Sequence, residues 1–241
     1  MVKKFVDKNS YTLGFSVAMV VMVGAVLAFA TIKLKPFQDE NKTREKIQNI
    51  LNSVGVKVSM EEASKAYQTY IKQALVLNAK GQILEGEKAF DIDITTEIKK
   101  VPKDQKMPLY IAEKDQDRYY ITPLYGTGLW GPVWGYVSLD QEFKIVGIIL
   151  DHKSETPGLG AEITQDFFME SFNGERIFDT SGNYQGVRIV KGTSDPGNTN
   201  KEDNQVDGIS GATKTGDGVS EMLVRGLRFY LPYLQTVRNK L

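Results

Sequence analysis

Ser210, Thr213 and Thr215 set three hydroxyls close together in the stretch Asp207-Gly208-Ile209-Ser210-Gly211-Ala212-Thr213-Lys214-Thr215. Gly208 and Gly211 permit backbone angles closed to other residues and let a ligand approach the main chain, while Ala212 adds only a methyl. Lys214 brings a cation able to meet a phosphate as a point charge. Apolar residues then recur at helical spacing, at Val219, Met222, Leu223, Leu227, Tyr230, Leu231 and Leu234. The N–H groups of a helix start would add to the field on an anion held there. A Gly/Ser/Thr loop ahead of a helix is also the composition of an ordinary turn and cap, so the residues by themselves leave both readings open.

Two further glycine-bearing stretches lie upstream. Gly126-Thr127-Gly128-Leu129-Trp130-Gly131 matches the dinucleotide fingerprint literally, and Asp151 follows its last glycine by 20 residues. That fingerprint has to open a helix, whereas Pro132-Val133-Trp134-Gly135 leads into another strand, which argues against a nicotinamide site. The loop is either a connection between strands or a platform in which Trp130 offers an aromatic face. Trp134 and Tyr136 read as core. In Glu155-Thr156-Pro157-Gly158-Leu159-Gly160, the proline biases Thr156 toward an extended conformation and the glycines allow a tight reversal. His152, the single histidine, reads as a hydrogen-bonding group rather than a proton donor, although its titration range keeps the second role open.

The elements that must position these stretches follow from periodicity. Ile47, Ile50, Leu51 and Val54 recur at helical spacing and Glu61 to Leu77 reads as a second helix. Tyr119 to Leu124, Gly135 to Leu139 and Lys144 to Leu150 read as strands rich in β-branched and aromatic residues. Ala161 to Phe172 reads as a helix, Gly186 to Val190 as a short strand and Gly192 to Asp207 as a polar loop. The final helix is expected to be interrupted near Leu231-Pro232. Strands followed by helices, without regular alternation, predict an α+β architecture.

From Asn9 through Ile32 there is no charged residue, a run long enough for the ~20 residues of a bilayer-spanning helix. Lys3, Lys4 and Lys8 against Asp7 favour a cytoplasmic N-terminus and a large domain outside, with Lys33 and Lys35 making the bias shallow. A cleaved signal peptide ending at Ala28-Phe29-Ala30 is the alternative, disfavoured because the apolar run exceeds the ~7–15 residues of such segments. The expected organisation is an anchor over 1–35, a helical connector and first part of the soluble domain over 36–106, with Gln38 to Lys46 as a polar juxtamembrane stretch, and a ligand-binding domain over 107–241. Basic and acidic residues number 30 each, and nothing invites nucleic acid. With no cysteine and one histidine, disulfides, Cys-ligated iron–sulfur clusters and multi-histidine zinc sites are excluded, so redox chemistry requires an organic cofactor or a metal with other ligands.

Ser210-Gly211-Ala212-Thr213, preceded by Asp207, resembles the flavinylation motif of the FMN-binding domain family, whose last threonine is esterified to the phosphate of FMN by a dedicated flavin transferase with FAD as donor. With the two glycine-bearing stretches in the family's order behind a membrane segment, essentially the whole chain is similar to the C subunits of sodium-translocating NADH:quinone oxidoreductases. The resemblance implies covalent FMN on Thr213, framed by Asp207, Ser210, Gly211, Ala212, Lys214 and Thr215. It places Trp130, Thr156 and Leu159 beside the isoalloxazine ring, with Glu155 bracing the 155–160 loop. It further implies an electron relay between NADH and quinone coupled to sodium export, other subunits and membrane lipid as partners, and a single-pass protein of the bacterial inner membrane with a periplasmic domain. Thr213 would be an attachment point, not a catalytic nucleophile. The G subunits of Rnf-type ferredoxin:NAD oxidoreductases share the motif and form the nearest alternative. A flavin-free extracytoplasmic binding module and a self-sufficient flavin reductase are the others.

Overall fold

The computed structural model describes residues 9–192, 195 and 197–238. The leading Lys3, Lys4, Asp7 and Lys8, on which the expected orientation rests, lie outside them, as does part of the 192–207 stretch. The chain divides into two units, one up to Lys46 and the other from Ile47. In the first, helix α1 (Asn9–Asn52) carries exposed apolar side chains such as Val20, Leu27, Phe29 and Ile32. It is long and apolar enough to cross a membrane.

In the second unit, Ile47, Ile50 and Leu51 from the end of α1 are buried, and a short helix α2 (Ala63–Tyr70) runs straight into strand β1 (Ile71–Leu77). The helix expected over Glu61 to Leu77 is therefore half helix and half strand. Sheet pairing overrides the local periodicity, as β1 runs antiparallel to β2 (Met107–Lys114). A single-turn helix α3 (Ile94–Glu97) lies between them in sequence. Strands β3 (Asp117–Thr127), β4 (Pro132–Leu139) and β5 (Ile145–His152) continue an antiparallel meander in the order β1-β2-β3-β4-β5.

The period of two along each strand serves two cores. Leu109 and Ile111 face a cluster with Leu124, Val133, Val137 and Leu150. Tyr110 and Ala112 face the opposite cluster with Ile50, Leu51 and Tyr136. Trp134 is only half-buried. The helix expected over Ala161 to Phe172 is instead a 3₁₀ segment, Gly160–Thr164, and a short α4 (Asp166–Glu170). Gln165 takes an extended conformation between them, ψ 144°, which ends one turn before the next begins.

Strands β6 (Arg188–Val190) and β7 (Gln205–Asp207) form a parallel pair, so the expected polar loop ends in a strand. Beyond it, α5 (Thr213–Arg238) packs over the first core with Val219, Leu223, Leu227, Tyr230 and Leu234 buried, each worth about 1.5–3 kcal/mol on burial. The expected break at Pro232 does not occur. Proline removes one i→i−4 bond, but the carbonyl it frees belongs to Arg228 on the exposed side, while Tyr230 and Leu234 anchor the flanking turns. A stripe of small residues seats α5 against β3. A Cβ on Gly218 would collide with the Thr127 carbonyl, one on Gly126 with Met222, and one on Gly226 with Leu124. The fold is α+β, as the sequence pattern predicts.

Candidate functional site

All three singled-out stretches are joined by direct contacts. Gly128 to Gly131 close the β3–β4 hairpin, with Gly128 N–H donating to the Gly131 carbonyl at 2.7 Å. The fingerprint-like glycines thus belong to a hairpin, not to a strand–helix turn. Glu155 lies just after β5, 4% exposed, and its carboxylate spans two elements. Oε1 accepts the Trp130 N–H at 2.8 Å and Oε2 accepts the Thr215 hydroxyl at 2.6 Å. Burial pushes the Glu155 carboxyl up, but the Thr215 hydroxyl and the N–H groups of Trp130, Leu129 and Gly131 outweigh it and hold the group below the ordinary glutamate range.

The 155–160 stretch makes the tight reversal its composition predicts. The Thr156 carbonyl accepts from both Leu159 N–H and Ala161 N–H at 3.1 Å, and Gly158 sits at φ 76°. Thr156 is exposed. Leu159 meets the 207–215 stretch, because a Cβ on Gly211 would strike its side chain. The His152 ring nitrogen Nδ1 accepts the Glu155 N–H at 3.2 Å, the hydrogen-bonding role expected of it.

The 207–215 stretch starts at the end of β7, where Gly208 N–H donates to the Val190 carbonyl at 2.8 Å. Gly211 takes φ 78°, a left-handed conformation favouring glycine. Ala212 occupies the helix N-cap, its carbonyl accepting from Gly216 N–H at 2.9 Å. A methyl stands where helices usually place a capping oxygen, so Ala212 offers no acceptor to the first-turn N–H groups. Thr213 heads α5 with an exposed side chain, Thr215 is buried and Ser210 is exposed. Lys214 is exposed and pairs with Asp217 at 3.4 Å, a surface contact of small worth that leaves the ammonium able to turn elsewhere.

Thr213 lines a groove of about 310 Å³ with Ser210, Gly211, Ala212 and Gly208. Its other wall comes from Ile189, Val190, Lys191 and Gly192, with Asp217 on the helix side. Sequence reasoning missed this wall, since only the parallel β6–β7 pairing brings residues so distant in the chain to the motif. Ser220 fixes the wall by accepting the Ile189 N–H at 2.8 Å. Leu129, Trp130 and Leu159 are 52%, 66% and 41% exposed, on the two stretches that touch the helix start. Among the described residues no cluster of acidic and histidine side chains forms a metal site.

The FMN-binding domain family model matches residues 128–228, which contain all three stretches except Gly126 and Thr127. The C subunit of the Na(+)-translocating NADH-quinone reductase of Haemophilus ducreyi is 31% identical over 247 residues, covering 95% of this chain and 94% of that protein. Its counterpart in Yersinia pestis is 31% identical over 263 residues, covering 96% of each. The crystal structure of the counterpart from Parabacteroides distasonis superimposes with a TM-score of 0.74 at 40% identity, over 83% of this chain and 96% of that one. Groove, hairpin and helix start thus coincide with a matched domain inside a match that runs nearly end to end, and this chain belongs to the family of Na(+)-translocating NADH-quinone reductase C subunits.

Proposed function

We propose that this chain is an electron-relay subunit of a sodium-translocating NADH:quinone reductase and carries FMN covalently, its phosphate esterified to Thr213 Oγ1. The observation that carries the reading is the helix start. Thr213 is an exposed hydroxyl at the head of a 26-residue helix whose N-cap residue, Ala212, has no side-chain oxygen to offer. A phosphodiester there meets first-turn N–H groups and the positive end of the helix dipole. Lys214 is close enough in sequence to exchange Asp217 for the remaining phosphate charge. The groove flanked by Ser210, Gly211 and the β6 wall fits a bound group.

Bound here, FMN would supply one- and two-electron chemistry that no side chain of this cysteine-free protein can. The chain's own residues bind, orient and shield. Leu129, Trp130, Thr156 and Leu159 supply apolar and aromatic surface that excludes water beside the groove. Asp207 ends β7 and sets the path into the motif. A covalent link keeps the cofactor from escaping into an extracytoplasmic space, which agrees with α1 as a cytoplasmic-membrane anchor and the soluble domain on the periplasmic side. A flavin transferase installs the group, membrane lipid surrounds the anchor, and neighbouring subunits pass electrons to and from this one during sodium export.

Intact-mass analysis of the full chain co-expressed with a flavin transferase tests the reading. One FMN-sized adduct mapping to Thr213 is expected, and Thr213→Ala should yield a folded, colourless protein. An adduct that persists in Thr213→Ala, or an unmodified chain beside a control substrate the transferase does modify, overturns it.

A further inference from the structure

Glu155 is a loop residue after a β-strand, and loop carboxylates are ordinarily solvated. This one is buried, and its partners are the Trp130 N–H of one element and the Thr215 hydroxyl of another. The cradle around it is closed by glycines. A Cβ on Gly128 would stand 2.6 Å from Oε1, and one on Gly160 would stand 2.7 Å from Oε2. Neither position admits a larger residue while the carboxylate stays in place. The carboxylate also does not line the groove beside Thr213.

The Trp130 N–H, in the turn between Gly128 and Gly131, donates to this anion at 2.8 Å, and turns of this kind elsewhere offer their N–H groups to a phosphate. Here the protein supplies its own carboxylate. The other oxygen is bound to Thr215, two residues after Thr213 on the first turn of α5. A single side chain therefore ties the loop that displays Leu129 and Trp130 to the turn that displays the attachment hydroxyl. Charge-assisted hydrogen bonds at both ends make this tie short and directional. Leu159, on the same stretch as Glu155, abuts Gly211 from the other side of the motif.

Resting on the assignment of Thr213 as the attachment residue, we infer that Glu155 is a positioning residue: an internal anion that latches the Trp130 hairpin to the first turn of α5, so that the flavin acceptor site is assembled before the flavin arrives. It acts through Thr215 and the hairpin backbone and does not touch the cofactor. The latch sets the separation between the Trp130 ring and the Thr213 hydroxyl, and so governs how readily a transferase can seat the isoalloxazine while presenting the phosphate to Thr213.

The test uses the full chain in detergent, carrying Trp134→Phe so that Trp130 alone fluoresces, with Glu155→Ala, Glu155→Gln, Thr215→Val and the Glu155→Ala/Thr215→Val double variant. Acrylamide quenching of Trp130 is read in the unmodified protein, and the initial rate of FMN addition is read by intact mass. Release of the hairpin in Glu155→Ala should raise the quenching constant by up to about 1.5-fold, the ceiling set by the 66% exposure of Trp130, and slow FMN addition about tenfold, the scale expected for loss of one charged hydrogen-bonded link. Thr215→Val should reproduce part of both changes, and the double variant should match Glu155→Ala, because both act through one tie. Glu155→Gln, which keeps the shape and an acceptor, should restore part of the rate. Unchanged quenching and rate in both Glu155→Ala and Thr215→Val would overturn the latch while leaving Thr213 standing. Additive losses in the double variant would also overturn it. If Glu155→Ala fails to fold, Thr215→Val, which removes one hydroxyl, decides alone. Failure of the Thr213 assignment reads separately, as an adduct surviving Thr213→Ala.

Discussion

Glu175→Gln should flatten part of the pH dependence of stability, and the structure gives the size. Glu175 is fully buried, its Oε1 accepting from Asn198 Nδ2 at 2.9 Å and lying 3.6 Å from the Lys201 ammonium, while Oε2 has no partner among the described residues. Burial, helped by Asp203, pushes its carboxyl from 4.5 up to about 7 against the opposing pull of Asn198 and Lys201. The folded state holds this proton more tightly than the unfolded chain does. The contribution is therefore fully present below pH 4.5 and is lost as pH rises to about 7. At about 1.4 kcal/mol per pH unit, the loss across that window comes to about 3 kcal/mol. Glutamine keeps the oxygen for Asn198, places an uncharged amide at the Oε2 position, and does not titrate. Lys201 retains the Ser171 carbonyl at 2.9 Å. Urea unfolding of the full chain in detergent, followed by the emission of Trp130 and Trp134 from pH 4 to 8, isolates the effect, since other titrating groups cancel between wild type and variant. The two proteins should be similar in stability at the acid end, with the glutamine variant ahead by up to about 3 kcal/mol at pH 8. A difference that stays constant with pH would refute the reasoning and mean that Lys201 compensates the buried charge in full.

Thr213→Ala should leave stability within about 0.5 kcal/mol of wild type, because the side chain is exposed, while removing the flavin adduct; thermal melts and intact mass report the two separately. Tyr230→Phe removes a buried hydroxyl that faces the Pro108 and Pro123 carbonyls at 3.1 and 3.0 Å, and should cost about 1–3 kcal/mol in denaturant unfolding. Gly218→Ala puts a methyl into the Thr127 carbonyl and should cost about 1–3 kcal/mol net, the clash outweighing the roughly 1 kcal/mol that alanine ordinarily returns over glycine in a helix. A neutral result at Gly218 would mean that α5 is not pressed against β3.

Strands β3, β4 and β5 and the long final helix were legible because their burial follows their periodicity: Val137 and Leu139 face one core and Tyr136 the other, and Val219, Leu223, Leu227 and Leu234 keep one face. Errors fell where tertiary pairing overrides a local pattern. Ile71 to Leu77 carries apolar residues that suit either helix or strand, and only the β2 edge decides. The 160–172 stretch has helical composition but bends at Gln165. The three site stretches were visible as unusual local compositions, yet the bonds that join them were not. Nothing in the spacing of Trp130, Glu155 and Thr215 says that one carboxylate spans the other two. Lys191 and Gly192 were invisible as groove residues for the same reason, as they reach it through a parallel ladder between distant segments.

The small-residue stripe of Gly126, Gly218 and Gly226 has a consequence for electron transfer. Tunnelling rates fall steeply with distance, so a relay performs reproducibly only if its tether point does not wander. With a glycine on one side of each contact, against Met222, Leu124 and the Thr127 carbonyl, α5 lies close to β3 and has little room to slip by a turn. Redox cycling of a group fixed at Thr213 would then be absorbed in the few rotatable bonds of its own linkage, while the polypeptide stays still and adds little to the reorganisation energy of each transfer.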